Sequence, residues 1–148
     1  MDLQKLLEES LLLIQKKELE KENFNDYSFL VFPAAKAYEG FLKKIFLDLG
    51  FISENDYYGE RFRIGKALNP YLEPNFRMES VYDKLVEYTG DEDLAAKLWQ
   101  TWKESRNLLF HWFPNNKNTL TFAEAVERVN MILSAIEVTF KECKMSVK

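Results

Sequence analysis

The hexapeptide Arg106-Asn107-Leu108-Leu109-Phe110-His111 carries the single histidine of a 148-residue chain. Histidine both takes and gives a proton near neutral pH, and arginine is a planar, fork-shaped cation matched to phosphate oxygens. The two together point to phosphodiester chemistry.

On a helical wheel that starts at Leu94, Arg106 falls in the apolar sector with Trp99, Trp102, Leu109 and Phe113. A guanidinium among rings must find an anion, stack on an aromatic face or reach water, because burying it unpaired is costly. His111 falls about 140° away, on the polar side with Gln100, Glu104 and Asn107. Asn107 and His111 are then i, i+4 neighbours, and the amide is suited to hold the imidazole in one tautomer and rotamer. On one straight helix Arg106 and His111 do not converge on a single small group. Either the helix distorts in its last turn before Pro114, or two copies of the chain contribute to one cleft.

The elements that must position these residues read as helices. Asp2 is a plausible N-cap, and apolar residues recur at Leu3, Leu7, Leu11 and Ile14 before the charged run from Lys16 to Glu22. A second helix is expected from about Tyr27 to Leu49 and ends at Gly50, with Pro33 as a kink or as its true first turn. Residues 51 to 76 read as loops with one short helix near Phe62 to Leu68, and a modest helix follows from Glu79 to Tyr88. Gly90 ends it, and Asp91 is placed to cap a helix that runs through Leu98, Leu109 and Trp112 to Pro114. After the polar turn from Pro114 to Asn118, Thr121-Phe122-Ala123-Glu124 matches a capping box, and Val126, Val129, Leu133, Ile136 and Phe140 step by three and four. The expected fold is an all-α, up-and-down bundle of four long helices plus one or two short ones, forming a single domain over residues 1–148.

Composition narrows the chemistry. Apolar residues make up 47% and aromatics 15%, which excludes a disordered chain. A net charge of −4 does not suit a protein that coats itself in positive charge, although a small basic cleft on an acidic body still binds RNA. With only Cys143 and His111 as soft donors, neither a disulfide within the chain nor a structural zinc is expected, and no cofactor is implied. Met1-Asp2-Leu3-Gln4 has no cationic stretch ahead of an apolar run, and no window is apolar enough to span a bilayer, so the expectation is a cytoplasmic protein with no membrane partner.

The hexapeptide resembles the Arg-x4-His signature of the HEPN superfamily (higher eukaryotes and prokaryotes nucleotide-binding), including the polar residue after the arginine. The likeness extends to architecture, a helical bundle with the motif towards the end of a late helix. The segment from Ala35 to Lys44 is similar to a helix of the RNase LS-type toxin branch that supplies a glutamate, so the resemblance implies Glu39 as a third catalytic group beside Arg106 and His111. Read on its own, the stripe Lys36, Glu39, Lys43 also fits a solvated ion-pair face. Another branch reads Arg-x4-His-x-Tyr, with a tyrosine that a partner modifies; Phe113 stands in that place and has no hydroxyl to modify.

The resemblance implies metal-independent cleavage of RNA, in a toxin of a toxin–antitoxin or phage-defence system with a protein antitoxin as partner. A neutral His111 would take the 2′-hydroxyl proton while Arg106 stabilises charge on the phosphate, leaving a 2′,3′-cyclic phosphate and a 5′-hydroxyl. With one histidine per chain, the leaving oxygen takes its proton from His111, from the His111 of a second subunit, from Glu39 or from water. This scarcity favours a homodimer with the site at or near its interface. Lys36, Lys43, Arg61, Arg63 and Lys66 are RNA-contact candidates, the last three because they share the irregular middle segment with Tyr57, Tyr58 and Phe62. The alternatives are a non-catalytic module of the same type that binds RNA, a nucleotide or a protein, and a helical interaction domain in which the hexapeptide is accidental.

Overall fold

The structure, a computed structural model, describes residues 2–115 and 118–143 and is all-α. Helix α1 (Leu3–Leu19) starts at Asp2, whose carboxylate accepts the Gln4 amide at 3.0 Å. A 3-10 turn over Ser28–Leu30 leads into α2 (Phe32–Asp48). The helix begins later than Tyr27 because Pro33 sits in its first turn, where a missing N–H costs nothing. Val31, at the N-cap of α2, has no capping side chain of its own. The buried Ser10 hydroxyl of α1 accepts the Ala34 amide at 2.9 Å instead, so one helix caps another.

The middle segment holds more structure than expected. Ser53 and Asp56 form a capping box for α3 (Glu54–Tyr58), followed by α4 (Ile64–Ala67) and a 3-10 turn over Pro74–Glu79. Helix α5 (Val81–Thr89) is capped by Ser80 and stopped by Gly90 at φ 89°, a left-handed conformation that suits glycine. In the turn before α6 (Asp93–Trp102), the Asp91 carboxylate accepts the Asp93 amide at 3.0 Å.

The expected continuation of this helix to Trp112 is not what forms. After Trp102 the chain widens into a π turn over Lys103–Asn107, closed by the Leu108 amide on the Lys103 carbonyl at 3.0 Å, five residues back. Non-helical turns follow to Pro114; Asn116 and Lys117 of the expected polar turn lie outside the described residues. Helix α7 (Phe122–Glu142) opens on the Thr121 and Glu124 capping box, with reciprocal bonds of 3.2 and 2.8 Å.

Contacts set the directions of the long helices. Ser10 meets Ala34 while Leu3 lies against Gly40, where an added Cβ would fall 2.6 Å from the Leu3 side chain; α1 and α2 are therefore antiparallel and close. The Tyr38 hydroxyl donates to the Leu98 carbonyl at 3.0 Å, and the Phe32 and Phe110 rings meet at 5.4 Å, so α6 and the turn beyond it run against α2. Tyr27 pairs with Phe122 and Phe41 with Phe140, which gives α7 the sense of α2. The order is up, down, up, down. Tyr38, Leu42, Phe46, Leu85, Leu98 and Ile132 lie fully buried between these helices. Among the described residues no helix is long and apolar enough to cross a membrane.

Candidate functional site

Arg106 lies within the π turn, and its surroundings come from both sides of that distortion. The guanidinium carbon lies 5.6 Å from the Trp102 ring and 5.7 Å from the Phe110 ring, within cation–π range of each. Trp102 is buried beneath it, and Phe110 leans edge-on against Phe32 of α2. The sequence wheel anticipated Trp102 but missed Phe110 and Phe32. Phe110 follows Arg106 by four residues, a spacing that puts two side chains on one helix face, and its ring keeps that contact across the π turn while also meeting Phe32 from α2.

Across from the arginine stands Glu39 of α2. Its Oε2 is 3.5 Å from Arg106 Nε, and the two side chains are 37% and 35% exposed. Among the described residues Glu39 pairs with neither Lys36 nor Lys43, so the ion-pair stripe along α2 does not form. Phe32, Ala35, Lys36, Glu39, Arg106 and Phe110 line an open groove of about 290 Å³. Two aromatic rings, two cations and one carboxylate line it.

His111 is exposed and does not line this groove. Its ring lies edge-on to Phe113 at 6.4 Å. Its backbone is fastened by Asn118, whose side-chain amide donates to the carbonyls of both Leu108, at 3.2 Å, and His111. The expected Asn107 to His111 contact is absent among the described residues, because the i, i+4 geometry ends with α6 and Asn107 is exposed. Asn118, rather than Asn107, is the polar side chain that orders this segment. Its place at the end of the polar turn that starts at Pro114 was visible in the sequence, but its partners were not.

The other expected cations separate. Lys36 lines the groove and Lys43 does not. Arg61, Arg63 and Lys66 line a different cavity, near the far end of α2. Tyr57 and Tyr58 pack on one another at 4.9 Å and line neither. Among the described residues no three His, Cys, Asp or Glu side chains gather as they would around a metal ion.

The anchor of the whole region is Asp26. Its carboxylate accepts the Ser28 hydroxyl at 2.6 Å, the Ser28 amide at 3.0 Å and the Leu120 amide at 3.1 Å. Partial burial pushes this carboxyl up, but those hydrogen bonds outweigh it and hold it below its ordinary value. The Tyr27 amide adds a bond to the Leu120 carbonyl at 3.0 Å. The starts of α2 and α7 are thereby tied together, which closes the chain behind the segment that carries His111. No protein-family model matches the chain, and no match arises among curated proteins or solved structures.

Proposed function

We propose that the chain is a metal-independent endoribonuclease of HEPN type, acting as a toxin in a toxin–antitoxin or phage-defence system. The observation that carries this reading is the meeting of Arg106 and Glu39 in one aromatic-walled groove. They are distant in sequence and were linked beforehand only by the family resemblance. The pair is half-exposed, so opening it costs little, about 0–1 kcal/mol for such surface pairs. An incoming phosphodiester takes over the guanidinium, and Glu39 is left beside it as a proton donor or acceptor. The Arg106 guanidinium lies within cation–π range of two rings, a setting suited to holding a cation that stabilises charge growing on phosphate oxygens.

His111 enters from a second copy in this reading. Leu108, Trp112 and Phe113 on the same segment and Phe32 at the groove are 39%, 78%, 40% and 54% exposed, an apolar surface suited to self-association around the groove. RNA is the substrate, a homodimer the active form and a protein antitoxin the natural restraint. The position of His111 outside the groove of its own chain also favours one other reading, a binding module in which Arg106 and Glu39 hold a ligand without cleaving it.

Incubating total RNA with the purified protein and a chelator, then mapping the cut ends, separates the two. New 5′-hydroxyl and 2′,3′-cyclic phosphate ends support the nuclease. RNA that binds and stays intact supports the module.

A further inference from the structure

A second cavity, of about 350 Å³, lies where α2 ends, between the short helices and α5. Glu39 and the end of α2 are separated by roughly 14 Å of helix, so this cavity and the Arg106 groove are different places on the molecule. Arg61, Arg63, Lys66 and Lys84 line it, with Phe51 and Phe62 among its apolar walls. Four cations face two carboxylates, Asp56 and Glu79, in a chain whose net charge is −4.

The state of those charges is informative. The Arg63 guanidinium donates to the backbone carbonyls of Glu60 and Phe62, and Lys84 donates to the Phe51 carbonyl at 2.8 Å. Carbonyl oxygens orient a cation without neutralising it. Arg61 has no hydrogen-bond or ion-pair partner among the described residues, although it lines the cavity. Lys66 lies over the Phe76 ring at 4.1 Å and reaches Glu79 only at 3.6 Å, through a carboxylate that is 72% exposed. Asp56 is engaged elsewhere, accepting the Ser53 amide and hydroxyl at 3.0 and 2.8 Å. What remains is a concave site whose four cations outnumber its two carboxylates, with Arg61 unpaired among the described residues, beside the aromatic side chains of Phe51 and Phe62.

We infer that this cavity binds a nucleoside phosphate: the cations take the phosphate and the Phe51 and Phe62 walls take the base. The volume lies at the small end of ligand pockets, which fits one nucleotide rather than a polynucleotide tract. Charge-assisted bonds from arginine and lysine give the phosphate its hold, and an apolar wall with a π face accepts any base. The same chemistry is offered by a free mononucleotide and by one nucleotide of a single RNA strand. The inference does not depend on cleavage in the Arg106 groove.

The test is equilibrium binding followed by calorimetry and amide chemical shifts, with adenosine 5′-monophosphate, adenosine and a short oligoadenylate lacking terminal phosphates as probes. The monophosphate is expected to bind at least tenfold tighter than adenosine and to shift the amides of Arg61 to Lys66 and Lys84. Binding of the oligoadenylate to the same residues without the monophosphate assigns the site to a strand, and the reverse assigns it to a free nucleotide; either supports the site. Arg61→Ala, at an exposed unpaired side chain, and Lys84→Met should each weaken the tighter ligand at least tenfold, with thermal melting to show that the fold persists. Arg106→Ala should leave this binding unchanged. Measurable and equal binding of adenosine and its monophosphate, binding of neither phosphate-bearing probe, or shifts confined to the Arg106 groove would overturn the inference.

Discussion

The carboxylate of Glu39 on α2 lies 3.5 Å from Nε of Arg106 in the π turn, with the guanidinium held over Trp102 and Phe110. The position of the cation thus depends on three features: an acid from another helix, a buried indole, and a local widening of the helix that carries it. Each can be perturbed separately.

Glu39→Gln removes the charge and keeps the shape. Because the pair is half-exposed, stability should change by less than about 1 kcal/mol, read as a small shift in denaturant midpoint. RNA cleavage should fall at least tenfold. Arg106→Lys should do no better than Arg106→Ala, since a lysine supplies charge without the planar fork. Full activity in Arg106→Lys would show that only net charge matters.

Gly65 of α4 packs on Trp102, and a Cβ there would fall 2.9 Å from the indole Nε1. Alanine ordinarily gains about 1 kcal/mol over glycine inside a helix. Here the clash and the brevity of α4 should outweigh that gain, so Gly65→Ala is expected to lower stability by about 1 kcal/mol and to shift tryptophan fluorescence. Cleavage should drop several-fold as the ring under Arg106 moves. A more stable variant with wild-type cleavage would contradict this coupling.

Asp26 makes the fold acid-sensitive. Its folded carboxyl lies below the ordinary value of 3.8, so it stabilises the fold above that pH, and the contribution disappears as pH falls through the lower folded value. Asp26→Asn should lower the melting temperature at pH 7 by a few degrees, as expected for loss of about 1 kcal/mol of hydrogen bonding. The gap between variant and wild type should narrow at pH 3 and below. A gap that stays constant with pH would assign the loss to packing alone.

Much of the scaffold was legible in the residues themselves. Asp2, Gly90 and the box at Thr121 and Glu124 mark helix ends by local hydrogen bonding or by backbone freedom, which leave a trace within a few positions of sequence. Helix α3 escaped because five residues are too few for an apolar period, although Ser53 and Asp56 carried a capping signal. A distortion in the last turn before Pro114 was one of two expected alternatives, but the π turn lies earlier, at Lys103–Asn107, and its position escaped for a different reason. Leu109 and Trp112 continue the spacing of Leu98 and Trp102, and apolar spacing alone does not reveal where the backbone leaves the α-helix. In the candidate site, the aromatic setting of Arg106 could be read from one helix, but its Phe32 wall and the grouping of Lys84 with Arg61 depend on tertiary contacts.

The central claim is that Arg106 and His111 act jointly on one ribose–phosphate linkage. The most direct measurement is the single-turnover cleavage rate of Arg106→Ala, His111→Ala and the double variant on one RNA, with circular dichroism to verify each fold. Groups that act as a unit give non-additive losses. The account predicts that each single substitution slows cleavage at least 100-fold and that the double variant is little slower than either. A folded single variant cleaving at the wild-type rate, or losses that multiply as for independent sites, would contradict it.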